Sequence, residues 1–203
     1  MNPLDALFAR HSDPSGFAAG YVEHLRDLLA ALDIPAVGRF IELLLEARAA
    51  GRHIFFCGNG GSAATASHFA NDIAIGTRAG DRPFKAVSLG DNIAVITAIA
   101  NDDGYDQIFV RQLQVLLEPG DMVVALSASG NSPNIVKALE FARARGNPTV
   151  ALTGFDGGKA AALGDVIIHI GTDKGEYGPV EDMHMVIDHL VGAYLIQRVR
   201  AEA

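Results

Sequence analysis

Apolar residues near the start of the chain recur every three to four positions: Val22, Leu25, Leu28 and Leu29, then Val37, Phe40, Ile41 and Leu44, with Pro35 between the groups. That spacing lines one face of a helix, and a proline interrupts the run. Two amphipathic helices are therefore predicted between Phe17 and Ala50. Further along, the pattern changes to short continuous runs rich in β-branched and aromatic residues, at His53–Cys57, Lys85–Leu89, Met122–Leu126, Thr149–Leu152 and Val166–Ile170. Each reads as a strand buried on both faces.

Helical periodicity fills the gaps between these strands, near Ala63–Ile75, Asn92–Ala100, Ile108–Leu117, Asn134–Arg145 and Ala160–Leu163, and a last helix is expected from about Val180 to Arg198. Strands alternating with helices predict an α/β fold, a doubly wound parallel sheet of five strands flanked by helices. Residues 1–50 form a helical extension in this reading, suited to an arm or an oligomer interface, and residues 51–203 form the main domain.

Composition narrows the partners. The 203 residues are 49% hydrophobic and 20% charged with 22 glycines, which suits a folded α/β domain. A formal net charge of -8 and the lack of a basic, aromatic-rich cluster argue against nucleic acid and anionic membranes, leaving a small molecule or a protein. No apolar stretch is long enough to span a bilayer. The N-terminus carries no basic, apolar leader and Cys57 is the only cysteine, so a cytoplasmic location is expected.

Chemistry concentrates at two loops. Gly58-Asn59-Gly60-Gly61-Ser62 leaves an apolar strand and opens a helix, where small residues let backbone N–H groups approach an anion. Ser127-Ala128-Ser129-Gly130-Asn131-Ser132 does the same after another strand and adds three hydroxyls, a set suited to a phosphate monoester. Tight turns and helix caps use the same residue types. Two such loops at strand ends, facing one crevice if their strands are neighbours, favour binding.

His68 and Asp72 lie four residues apart on the helix after the first loop, and the last helix carries Glu181, His184, Asp188 and His189. Imidazole and carboxylate together suit zinc or another divalent transition metal, or proton transfer. Glu181 and His189 would stand about 12 Å apart along one helix axis, near the limit for sharing an ion. Cys57, at a strand end, reads as a buried small hydrophobe, and His53 and His169 read as strand residues without a catalytic role.

Taken in order, these motifs resemble the sugar isomerase (SIS) domain family and its phosphoheptose isomerase branch. The pieces that carry the resemblance are Cys57-Gly58-Asn59-Gly60-Gly61-Ser62 with Ser67-His68-Phe69-Ala70, Ala100-Asn101-Asp102, and Ser127-Ala128-Ser129-Gly130-Asn131-Ser132. Leu152-Thr153-Gly154 with Gly157-Gly158-Lys159, and Glu181-Asp182-Met183-His184 leading to His189, complete them. The resemblance implies a flavodoxin-like SIS domain over 51–203 that interconverts sedoheptulose 7-phosphate and D-glycero-D-manno-heptose 7-phosphate, in nucleotide-activated heptose and lipopolysaccharide synthesis.

By that resemblance, phosphate and sugar meet Asn59, Gly60, Gly61, Ser62, Asn101, Asp102, Ser127, Ala128, Ser129 and Ser132, together with Asp72 and Glu181. It also implies one Zn2+ per subunit on His68, Asp72, Glu181 and His189, with Asp72 and His189 as the acid/base pair, in a homotetramer with sites between subunits. Asp72 stands where the family pattern has Glu, and Glu181 where it has Gln. Two other readings remain open: a non-catalytic SIS-fold protein binding a phosphosugar or a replication initiator, and an isomerase of another sugar phosphate.

Overall fold

A computed structural model of the protein describes residues 2–202. Five parallel strands, β1 (His53–Cys57), β2 (Lys85–Ser88), β3 (Met122–Ser127), β4 (Thr149–Phe155) and β5 (Val166–Gly171), form one sheet in the order β2-β1-β3-β4-β5. This is the expected doubly wound arrangement, and its strand order reverses between β1 and β3. The register sets Cys57 beside Ala125 and Ser127 beside Thr153, so the loops leaving β1 and β3 emerge side by side.

Among the described residues, eight α-helices surround the sheet: α1 (Pro3–Arg10), α2 (Pro14–Ala30), α3 (Ile34–Ala49), α4 (Gly61–Asn71), α5 (Ile93–Asp102), α6 (Val110–Leu116), α7 (Pro133–Ala144) and α8 (Tyr177–Arg200). Asp13 and Asp33 cap α2 and α3 by accepting from the backbone N–H of Gly16 and Ala36, and a proline lies in each first turn. Pro35 therefore starts α3. The short α1 was not visible in the apolar periodicity, because only Leu7 of it is buried.

Strand alternation divides the core in two. Ile54 and Phe56 point toward α3, α4 and α8, where they join Phe40, Leu44, Phe69, Ile187 and Leu195. Phe55 and Cys57 point the other way, toward Phe109, Leu113 and Leu139. Burial on both faces holds for β3 and β4 throughout, and for β1 apart from its first residue. It fails at the sheet edges, where β2 exposes Lys85 and Val87, and β5 alternates, turning His169 and Gly171 outward. An edge strand lacks a neighbour to cover it, so its pattern reverts to period two.

The N-terminal helices behave differently from one another. α3 buries Val37, Phe40 and Leu44 in the main core, whereas α2 buries none of its residues and leaves Val22 and Leu29 exposed. Tyr21 and His24 of α2 nevertheless reach Asp182 and the buried Glu176 at the head of α8.

Candidate active site

Two constellations lie along α4. At its head, the loops after β1 and β3 enclose a cleft of about 100 Å³ bounded by Asn59, Ser62, Ser127, Ala128, Ser129, Ser132, Tyr177 and Glu181. Gly130 closes the second loop: its N–H donates to Ser127 Oγ at 3.1 Å, and its φ of 61° is one a side chain would strain. A Cβ at Gly130 would stand 2.0 Å from the Gly157 carbonyl oxygen, and Asn131 Oδ1 accepts from Lys159 N–H at 3.2 Å. The Gly157-Gly158-Lys159 segment thus braces the hydroxyl-rich loop from behind.

Gly61 opens α4 beside Glu181: a Cβ there would meet Glu181 Oε2 at 2.2 Å. The Glu181 carboxyl is pushed above its usual range, first by burial and then by neighbouring Asp182. Asn101 and Asp102, expected at the sugar hydroxyls, sit exposed at the end of α5 with their side chains bonded to each other at 2.7 Å, and neither lines the cleft.

The second constellation lies two turns further along α4. His68 Nε2 stands 3.4 Å from Asp72 Oδ2 and 3.3 Å from His189 Nε2. Asp188 joins them, and one ligand atom from each of the four residues falls within 4.8 Å of the others. Asp72 begins a π-helical stretch, Asp72–Gly76, where the predicted regular helix to Ile75 gives way to a wider turn.

Glu181, expected with the metal set, is not among these four; its carboxylate lies at the head of α4 instead. Glu181 and His189 are eight positions apart within the unbroken α8, which keeps the two about 12 Å apart along the axis.

Asp188 is fully buried, and neither of its oxygens has a hydrogen-bond partner among the described residues. Burial, and then the charge of Asp72, push its carboxyl up to about 7. Four donors about 2 Å from one zinc ion stand about 3.3 Å apart. The His68 separations from His189 and Asp72, 3.3 and 3.4 Å, match that spacing, so two imidazoles and acidic oxygens fit a divalent transition metal.

Three groups went unsingled in the sequence. Tyr177 lines the cleft, while Asn134 and Tyr105 hold Asn59 in place. Cys57 is buried, and desolvation pushes its thiol up to about 12, consistent with a packing role. His169 Nε2 lies 3.0 Å from the Phe155 carbonyl oxygen, a structural contact at the end of β4.

A family model for the SIS domain matches residues 20–154. A phosphoheptose isomerase of Nitratidesulfovibrio vulgaris (strain Miyazaki F) is 42% identical over 156 residues, covering 75% of this chain and 74% of that protein. One from Bordetella avium is 39% identical over 178 residues, covering 82% and 88%. The solved phosphoheptose isomerase of Neisseria gonorrhoeae superposes with a TM-score of 0.78 at 32% identity, covering 88% of this chain and 95% of that one. With motifs, fold and relatives in agreement, the chain belongs to the SIS domain family and to its phosphoheptose isomerase branch.

Proposed function

We propose that the protein interconverts sedoheptulose 7-phosphate and D-glycero-D-manno-heptose 7-phosphate, supplying nucleotide-activated heptose synthesis in the cytoplasm. The observation that carries this reading is the placement of two sites on one helix. Ser62 borders the phosphate cleft and His68 belongs to the His/Asp cluster, six residues or about 9 Å further along α4. An open-chain sugar phosphorylated at its last carbon carries its carbonyl at the opposite end. A seven-carbon chain spans such a gap.

Ser127, Ser129, Ser132 and the N-terminus of α4 hold the phosphate by hydroxyls and backbone N–H groups, without a lysine in either loop. Asn59, Gly60, Gly61, Ser62, Ala128 and Glu181 line the approach to the sugar. Aldose–ketose exchange removes a proton from the carbon beside the carbonyl and returns it to the neighbouring carbon. A second proton passes between the two oxygens. Asp72 and His189 divide these transfers, one at carbon and the other at oxygen.

A divalent cation, zinc by the donor chemistry, would be held by His68, Asp72 and His189 and would supply Lewis acidity at the two oxygens. The exposed apolar side chains of α2, Val22 and Leu29, support assembly into a homo-oligomer, a tetramer by family resemblance. Light scattering of the purified protein measures that state.

The test is NMR of sedoheptulose 7-phosphate incubated with the protein, with added zinc and after chelation. Appearance of the manno-heptose phosphate, lost with chelator, is the expected result. Sugar-phosphate binding without turnover would overturn the isomerase reading in favour of a binding protein.

A further inference from the structure

α8 begins at Tyr177 without a side-chain cap among the described residues, and Gly178 lies in its first turn. An uncapped end that contains a glycine is where a helix frays. Yet this end carries two side chains of the phosphate cleft, Tyr177 and Glu181, four residues apart and so on one face. A cleft built on so weak a turn needs that turn held from outside the helix.

α2 provides the hold. His24 Nε2 donates to Glu176 Oε1 at 2.8 Å, and the Asp173 N–H donates to Glu176 Oε2 at 2.8 Å. Glu176 is fully buried, so its carboxylate depends on both donors, and His24 is the one that reaches it from another helix. Three residues earlier on α2, Tyr21 Oη donates to Asp182 Oδ2 at 2.5 Å. A Cβ on Gly178 would stand 3.2 Å from the same hydroxyl, so Tyr21 rests on the face of α8 that Gly178 and Asp182 share.

Each step along a helix turns the chain by about 100°, which sets the Tyr177–Glu181 face immediately beside the face that α2 grips. Any rotation of the first turns of α8 would therefore move both cleft side chains at once. No residue of α2 is buried, so apolar burial does little to set where this helix sits, and its two polar contacts with the head of α8 carry the specificity.

We propose that His24 and Tyr21 are positioning residues for sugar-phosphate binding: through Glu176 and Asp182 they fix the head of α8, and with it the placement of Tyr177 and Glu181 in the cleft. The inference rests on the isomerase reading for its substrate. It gives α2 a part in the site although none of its residues borders the cleft.

The experiment measures kcat and KM for sedoheptulose 7-phosphate, and the Kd of the same sugar phosphate by calorimetry, well below the melting temperature. Wild type is compared with His24→Ala, His24→Gln, Tyr21→Phe and Leu113→Ala. His24→Ala is expected to raise KM and Kd about tenfold and Tyr21→Phe about threefold, with kcat within about twofold of wild type. His24→Gln keeps an N–H donor for Glu176 and should recover most of the lost affinity. Tyr21→Phe removes a single hydroxyl, so it tests the proposal even where His24→Ala folds poorly. Leu113→Ala opens a cavity in the half of the core on the opposite side of the sheet from α8. It should lower the melting temperature while leaving KM near wild type.

Unchanged KM and Kd in Tyr21→Phe and His24→Ala would overturn the proposal. So would a His24→Gln variant no better than His24→Ala, or a rise in KM for Leu113→Ala as large as theirs. Binding is read apart from turnover: a wild type that binds the sugar phosphate without converting it would sink the isomerase reading, and the Kd comparison would still decide this one. A wild type that binds no sugar phosphate would overturn both.

Discussion

Asn59 and Asn134 form a reciprocal amide pair: Asn59 Nδ2 donates to Asn134 Oδ1 at 2.9 Å, and Asn134 Nδ2 donates to Asn59 Oδ1 at 2.8 Å. The Tyr105 hydroxyl donates to the same Asn59 oxygen at 3.0 Å, and the Ile135 N–H donates to Asn134 Oδ1 at 3.0 Å. The pair ties the loop after β1 to the first turn of α7, and so fixes the two phosphate-facing loops relative to each other.

Replacing the buried Asn134 by leucine leaves Asn59 with one donor fewer and one acceptor fewer. Such a loss costs about 1–3 kcal/mol. The expected outcome is a lower melting temperature and a KM for sugar phosphate raised about tenfold, with kcat less affected, because the loops bind the handle and not the reacting carbons. An unchanged KM would show that the pair is structural only.

Gly130 and Gly61 make a paired test of what each glycine is for. Gly130→Ala drives a Cβ into a backbone carbonyl at 2.0 Å and forces φ near 61° on a residue that resists it, costing about 1–3 kcal/mol or more. Stability and sugar-phosphate binding should fall together. At Gly61 the obstacle is the tip of Glu181, which can swing aside. Gly61→Ala is expected to leave the melting temperature nearly unchanged and to weaken sugar-phosphate binding; calorimetry and thermal melts on both variants separate the two cases.

The acid/base pair is tested by Asp72→Asn and His189→Ala, whose removal of a proton-transfer group should cut kcat by about 10²–10⁴-fold. Sugar-phosphate affinity, measured by titration, should hold within a few fold, since neither side chain borders the phosphate cleft. Full turnover in either variant would exclude that residue from proton transfer.

The apolar runs revealed the sheet because β1, β3 and β4 are covered on both sides, and its parallel, doubly wound character followed from the alternation of strands and helices, whereas the strand order came only with the structure. Both loops were legible as a pair because two runs of small and hydroxylic residues each follow a buried strand and open a helix, although turns and caps use the same residue types. The partners of those loops were not: Asn134 and Tyr105 act through contacts 75 and 46 residues away from Asn59, and neither follows any periodic rule. His68 and Asp72 were legible as a pair four residues apart on one helix. That Asp188, and not the same chain's Glu181, stands beside His68 required the register of α8 against α4, which helix spacing alone does not specify.

His184 gives the fold a measurable acid sensitivity. Its ring is fully buried, neither nitrogen makes a well-formed hydrogen bond among the described residues, and burial pushes its pKa down to about 4 against a weaker opposing contribution from the Thr153 backbone. An unfolded histidine takes up its proton near pH 6.5, so between about pH 6.5 and 4 the unfolded chain gains a proton that the folded one refuses. Stability from this group is complete above that window and is lost as pH falls through it, by up to about 3 kcal/mol. Asp188 has the opposite sign in metal-free protein. Its raised pKa makes stability fall as pH rises from about 4 to 7, and the two contributions offset each other in wild type. His184→Leu removes one of them. Chelator-treated His184→Leu, unfolded in urea at pH 4.5, 5.5 and 6.5, is therefore expected to gain stability relative to wild type as pH falls; parallel curves for the two proteins would show that His184 is not held neutral in the fold.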